Sequence, residues 1–395
     1  EDVKMGTITE SAKAFMPKLS EIRRDFHMHP EVSQHEERTG KKVAEYLKEM
    51  GCDEVYENVG GYGVVGVIKG KKTGKVVALR ADMDALQIQE MNEVPYKSQN
   101  DGVMHACGHD NHMTGLLGAA MLLCERREEI AGTVKLIFQP AEEMSPVGGS
   151  RGMLHSGYMD DVEAVFGLHV WPDLPHGKIG VKAGPLMAAT DHFTINIHGK
   201  TAHGAKPNQG IDAVVLGSQF VMAAQTIVSR KVDPLDNAVV TFGIFNAGTR
   251  YNIIAGDCTL DVRTLNEDTR AMIEDSMRKT LDGLCLQSGA TADINYGHGY
   301  PALVNHEEDA ELIRNTAIKL FGKDDVVDVK LPAMPAEDFS FYLKEKKGAF
   351  VWLGTAKPEQ DPVWPLHNSR FDVDEDILWR GSSLLAQTAI DYLNK

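Results

Sequence analysis

Several things are scarce in these 395 residues. Cysteine occurs five times, at Cys52, Cys107, Cys124, Cys258 and Cys285. An odd number of widely spaced cysteines argues against a disulfide framework and fits a reducing, cytoplasmic setting. There is no C-x-x-C pair, so a structural zinc site closed by two such pairs is not expected. No apolar run approaches the ~18 residues that span a bilayer. The opening stretch EDVKMGTITE lacks the apolar segment of a secretory signal, and without Met at position 1 it reads as a tag remnant or a processed end. Positive charge is also short: 41 Lys and Arg face 57 Asp and Glu, for a formal net charge of −16. That balance argues against nucleic acid or an anionic membrane as partner, since both call for basic patches. There are no repeats and no low-complexity tracts.

What is present suits a soluble α/β protein of about two domains. Hydrophobic residues make up 43% and charged residues 25%. SAKAFMPKLSEIRRDFHMHPE has a helical pattern that stops at Pro30. In TGKKVAEYLKEMGC, Val43, Tyr46, Leu47 and Met50 fall at helical spacing before Gly51. Short continuous apolar runs follow: VVALR (76–80), TVKLIF (133–138), AVFGLHV (164–170) and AFVWLG (349–354). With helical segments such as GLLGAAMLLCERREEI between them, they read as strands of a mostly parallel sheet with helices on both faces.

Residues 186–299 read differently. HFTINIHG alternates, with Phe193, Ile195 and Ile197 on one face. The order β-α-β-β-α-β with half-polar strands predicts an inserted ferredoxin-like module. The larger domain would then comprise 1–185 and 300–395.

The polar residues cluster where the strands end. VVALR runs into ADMDA, TVKLIF into QPAEE, AVFGLHV carries His169, and HACGHDNH (105–112) leads into a helix. Ligands of open α/β sheets bind at the carboxyl ends of the strands. Asp82, Asp84, Cys107, His109, Glu142, Glu143 and His169 therefore converge on one crevice in this reading. Mixed thiolate, imidazole and carboxylate donors suit zinc, manganese, cobalt or nickel. Two adjacent glutamates suggest that one holds metal while the other handles protons. Two competing readings fit less well: Cys107 as a nucleophile with His105 or His109 as base, which does not explain the acidic pairs that end two neighbouring strands, or a structural zinc site, which the lack of any C-x-x-C pair disfavours.

DMDAL, HACGHDNH, QPAEE, GLHVW, GKTAHGAKPNQGIDAV, MPAEDFSFYL and PLHNSRFDVDEDIL occur in an order that resembles the two-metal amidohydrolase branch of the metallocarboxypeptidases. That group includes aminoacylases, hippurate hydrolases, plant auxin-conjugate hydrolases and bacterial carboxypeptidases. The resemblance spans essentially the whole chain. It implies two divalent metals per subunit, zinc or manganese foremost, with cobalt or nickel able to substitute. It also implies a homodimer or higher homo-oligomer built through the inserted domain. The implied ligands are Cys107 (bridging), His109, Glu143, His169 and His367. Glu142 would be the general base, and Asp84 would orient the centre. His203 would reach the partner's site and stabilise an oxyanion. Asn252 and Arg263 would grip the substrate carboxylate, a guanidinium fork being suited to that task; a plain salt bridge from Arg263 to Asp261 is the alternative.

The sequence departs from the wider superfamily at Asp82, where a His is usual, at Cys107, where the bridging residue is usually Asp, and at Gln87, where the branch usually has Pro. The implied activity is hydrolysis of the amide of an N-acyl amino acid. A dipeptidase or carboxypeptidase on the same centre, or a non-catalytic metal- or ligand-binding relative, are the alternatives. Met187, Trp171 and Phe339 are candidates for an acyl pocket. His105, Asp110 and His112 are expected in the shell or at the helix start, with Asp110 favouring the helix dipole and His112 serving in packing. His27, His29 and His35 have no assigned role.

Overall fold

The computed structural model describes residues 6–265 and 269–395. The chain clusters into two compact units. One holds residues up to Leu186 together with Leu303–Pro332 and Glu337–Lys395; the other holds Met187–Ala302 and Ala333–Ala336. No described helix is long and apolar enough to cross a membrane.

The first unit is built on an eight-stranded sheet. In spatial order its strands are Glu54–Val59, Gly63–Lys69, Ala131–Gln139, Lys72–Asp82, Ala164–Pro175, Lys347–Ala356, Ile179–Val181 and Val326–Asp328. The centre is parallel: Lys72–Asp82 pairs in parallel with Ala131–Gln139 and with Ala164–Pro175, which pairs in parallel with Lys347–Ala356. Antiparallel pairing enters through Glu54–Val59 and Gly63–Lys69, and again where Ile179–Val181 meets Lys347–Ala356. All four apolar runs lie inside central strands, and all their residues but Val76, Thr133 and Lys135 are buried.

The two faces of those strands carry different chemistry. Val77, Leu79 and Ala81, with Phe166, Leu168 and Val170, join the apolar core under helices His109–Glu125 and Leu378–Leu393. The alternate positions Arg80, Asp82, His169 and Trp171 point the other way, because side chains alternate along a strand. Gly118 lets the two helices approach: a Cβ there would lie 2.1 Å from Ser382 Oγ. The final helix Leu378–Leu393 is buried along nearly its whole length.

The second unit has strands Thr190–His198, Val239–Ala247, Asp257–Leu265 and Thr291–His298, with helices Ala213–Thr226 and Arg270–Ser288 between them. All described pairings are antiparallel, in the spatial order Val239–Ala247, Asp257–Leu265, Thr190–His198, Thr291–His298. This is the arrangement of a ferredoxin-like module. Phe193, Ile195 and Ile197 pack with Phe220, Leu260 and Met277 in its own core.

Candidate metal centre

Gly108 sits between Cys107 and His109 with φ +82°, and a Cβ there would lie 2.4 Å from Val170 Cγ2. This left-handed turn starts helix His109–Glu125 and lets Cys107 and His109 face one point. Five donor sets lie among the described residues, each with its atoms within 4.8 Å of one another: Cys107, His109 and His169; Cys107, Glu143 and His367; His109, Glu142 and Glu143; Asp82, His109 and His112; and Asp82, Glu142 and Glu337. Cys107 belongs to two of them. Its Sγ lies 3.4 Å from His169 Nε2. Glu143 Oε1 lies 3.2 Å from His367 Nε2 and 3.8 Å from His109 Nε2. The strand bearing His169 continues to Pro175, so His169 lies in mid-strand rather than near its end.

Asp84 works as a scaffold. Its carboxylate accepts from Glu142 N at 3.1 Å, Glu143 N at 3.0 Å and Ser33 Oγ at 2.6 Å, and its carbonyl accepts from His109 Nδ1 at 2.7 Å. That bond turns His109 Nε2 toward the cluster, where it has no hydrogen-bond partner among the described residues; nor does Glu143 Oε1. Buried polar atoms without partners are costly. Here they face one another across a gap that a divalent cation would fill.

Charge gives the same answer. Arg80 is fully buried and donates to Asp82, Glu337 and Asp338 at 2.8–2.9 Å. Asp82, Asp84, Glu142, Glu337 and Asp338 are all buried in this region, leaving one arginine among five carboxyls. Burial, then Glu337 and Glu143, push the Glu142 carboxyl well above its usual range. Burial likewise raises Glu337 to about 8, against the pull of Arg80. Against the burial that lowers it, Asp82 and Asp84 hold His109 up at about 10. Burial and the neighbouring glutamates push the Cys107 thiol well up, so without a cation it is a weak nucleophile. Soft thiolate, imidazole and carboxylate donors with a surplus of negative charge fit a transition-metal dication.

Two residues at the centre have unusual backbones. Ala141, just before the glutamate pair, has φ +56°, and His367 has φ +64°. For non-glycine residues such conformations cost ~1–3 kcal/mol and persist only when held. Ala141 N donates to Glu36 Oε1 at 2.8 Å, and His367 N donates to Ala106 O at 2.8 Å. Glu36 and Glu337 received no role from sequence. Glu337 was visible in MPAEDF, but nothing in SQHEERTG singled out Glu36.

His112 does more than pack. Its Nδ1 hydrogen-bonds Asp82 Oδ1 at 2.6 Å and its Nε2 accepts from Val170 N at 2.9 Å. Asp110 lies in the first helical turn as expected, yet it also accepts from Arg23 at 2.9 Å and bonds His27 at 2.8 Å. His105 is buried, and burial lowers it to about 4, so it packs as a neutral ring. The pocket candidates are themselves packed: Trp171 stacks on Trp352 with ring centroids 4.2 Å apart, Phe339 lies tilted against Phe350 at 4.7 Å, and Met187 is buried in the second unit.

His203, Asn252 and Arg263 belong to the second unit. His203 is exposed on the short strand Ala202–His203, and its Nδ1 accepts from Ala205 N at 3.0 Å. Asn252 O accepts from the adjoining Gly204 N at 2.8 Å. The Arg263 backbone pairs opposite His192; its side chain lies outside the described residues.

Residues 78–391 match peptidase family M20/M25/M40. The chain belongs to this family. Among similar proteins is a putative amidohydrolase, YhaA of Bacillus subtilis, 42% identical over 95% of this chain and 94% of its own. Thermostable carboxypeptidase 2 of Saccharolobus solfataricus is 40% identical over 95% and 96%. Hippurate hydrolase of Campylobacter jejuni is 38% identical over the same shares. The solved YXEP protein of B. subtilis, described as a dinuclear metal-binding M20 peptidase, aligns at TM-score 0.84 with 36% identity over 97% of this chain and 99% of that one. The M20 chain described here is a hydrolase with residues able to hold metal.

Proposed function

We propose that this M20 hydrolase cleaves the amide bond of N-acyl amino acids at a centre of two divalent ions. The observation that carries the proposal is the convergence of Cys107, His109, Glu143, His169 and His367 beside the buried carboxyl of Glu142. Those five residues would hold the ions, with Cys107 shared between them. Zinc or manganese fits the donor set best, and cobalt or nickel can replace them. When bound, the ions supply Lewis acidity to the scissile carbonyl and to water.

The chain's own groups do the rest. Glu142 takes a proton from the attacking water and returns it to the departing amine. Its apolar, carboxyl-rich surroundings favour that proton's capture. Asp84 fixes His109 and the backbone of both glutamates through the bonds described above. In the second unit, His203 serves as oxyanion donor to a partner subunit, and Asn252 and Arg263 hold the substrate carboxylate; the motif resemblance supports these three roles.

The surface of the second unit supports a homodimer formed through it. Val239–Ala247 is an edge strand with exposed Ile244 and Phe245, and helix Ala213–Thr226 exposes Val214, Val215 and Met222. The cytoplasm is the compartment proposed, because all five cysteines are free thiols.

The similarity to a carboxypeptidase supports a second reading, hydrolysis of a short peptide on the same centre. One experiment separates the readings. Amino-acid release is measured on a panel of N-acyl amino acids and dipeptides, with chelated protein and with protein reloaded with zinc, manganese, cobalt or nickel. The expected result is metal-dependent release, greatest from N-acyl amino acids. Preference for dipeptides establishes the peptidase. Release that survives chelation and dies with thiol alkylation overturns the metal reading in favour of Cys107.

A further inference from the structure

Cys52 and Cys124 are 72 positions apart in sequence, yet the Arg127 guanidinium reaches Cys124 Sγ and both chain neighbours of Cys52. Cys52 follows the helix Glu37–Glu49, and Cys124 lies near the end of the helix His109–Glu125. Both are partly exposed free thiols at the rim of the core. Arg127 fastens the pair. Its Nη2 donates to Gly51 O at 2.6 Å and to Cys124 Sγ at 3.9 Å, and its Nη1 donates to the Asp53 carboxylate at 2.5 Å. One guanidinium thus holds both residues flanking Cys52 and touches the opposing sulfur. A surface cleft of about 370 Å³, bordered by Lys18, Tyr46, Met50 and Met121, opens onto Cys124.

We propose that Cys124 and Cys52 form a peroxide-reactive dithiol, a covalent modification site separate from the metal centre, in which Cys124 attacks and Cys52 resolves. Cys124 lies fifteen positions beyond His109 on the same helix, about 22 Å along its axis.

The chemistry follows from the local groups. The neighbouring Cys52 thiol, then Arg127 against the Cys124 sulfur, draw the Cys124 thiol below its usual range, while Cys124 and burial push Cys52 up. A low, accessible thiol next to a second one is the pattern of a redox-responsive pair. Burial instead raises Cys258 to about 11 and also raises Cys285. The oxidant is a small hydroperoxide. The Cys124 thiolate attacks its terminal oxygen: an S–O bond forms, the O–O bond breaks, and the departing alkoxide or hydroxide leaves protonated. Cys124 is now a sulfenic acid, oxidised by two electrons as the peroxide is reduced. The Cys52 sulfur then attacks the Cys124 sulfur: an S–S bond forms, the S–O bond breaks, and the leaving hydroxide departs as water with the Cys52 proton. A dithiol reductant reverses the product by exchange.

The test treats the full protein with one equivalent of hydrogen peroxide and maps its peptides by mass spectrometry. In wild type, the Cys52 and Cys124 peptides should be joined with loss of two hydrogens, and dithiothreitol should separate them. In Cys52→Ser, dimedone should trap a sulfenate on Cys124. In Cys124→Ser, Cys52 should remain a free thiol. Before oxidation, iodoacetamide should label Cys124 at least about tenfold faster than Cys285. Both serine variants should keep wild-type amide hydrolysis, which shows that they fold. Free Cys52 and Cys124 after peroxide treatment, or a dimedone adduct of Cys52→Ser carried by another cysteine, would overturn the proposal.

Discussion

Two arginines lie fully buried in the first unit, in contrasting company. Arg23 and the neighbouring His27 face the buried carboxylates of Asp110 and Glu90, with Asp372 nearer the surface. Burial and Arg23 lower His27, yet Asp110 and Glu90 outweigh them and hold it at about 9, so it carries charge at neutral pH. Two cations thus meet two deep anions, and the buried charges balance. Arg80, with His109 held up at about 10, faces five buried carboxyls, three of which are pushed toward protonation. A balanced cluster is architecture. A surplus of one sign, with unpartnered donors facing inward, is a place for an ion of the other sign.

The contrast can be broken in several ways. The largest effect is expected from Glu142→Gln, which keeps the shape and removes the base. Turnover should fall about 10³-fold with both metal equivalents retained, measured by steady-state kinetics and metal analysis. A kcat near wild type would show that the base lies elsewhere. Next comes Arg80→Met, which leaves buried carboxylates uncompensated. Urea unfolding should show a loss of about 3–5 kcal/mol. Added divalent metal should recover part of that loss, and should recover none of the loss in Arg23→Met. Equal recovery in both variants would erase the distinction between the clusters.

His27→Gln probes the balanced side. Because the folded state raises the His27 pKa, its contribution is fully present below about 6.5 and fades as pH rises through about 9. Wild type should exceed the variant by on the order of 3 kcal/mol at pH 6 and by little at pH 10. A difference that grows with pH would refute the charged assignment. The smallest effect belongs to Glu36. Glu36→Gln keeps an acceptor for Ala141 N, whereas Glu36→Ala frees the strained turn, at about 1 kcal/mol. We expect kcat to drop roughly fivefold in the alanine variant, an effect of about that energy, with KM unchanged, and to recover in the glutamine variant. A change in KM alone would argue against a positioning role.

The central strands were legible because each is a short, mostly buried apolar run, and the second unit because Phe193, Ile195 and Ile197 alternate. The donor residues were legible too: strand ends concentrate polar side chains, and HACGHDNH packs them densely. The antiparallel edge pairings were not, since Glu54–Val59 is half-polar and carries no strong period. Nor were Glu36 and Arg80, whose roles come from contacts 105 and more than 250 residues away in sequence. Trp171 and Phe339 misled as pocket candidates because a large aromatic in a buried strand or helix start fills space before it lines it. The backbone at Ala141 gave no sign at all, because alanine rarely adopts a positive φ.

The buried helix Leu378–Leu393 has a consequence for the order of assembly. It covers strands formed more than 200 residues earlier, so on a ribosome the first unit's sheet must wait, its apolar face uncovered, until that helix emerges. The βαββαβ module is continuous from Thr190 to His298 and all its pairings are available well before then. A nascent chain stalled at residue 350 would therefore present a finished small module beside an open, chaperone-dependent sheet.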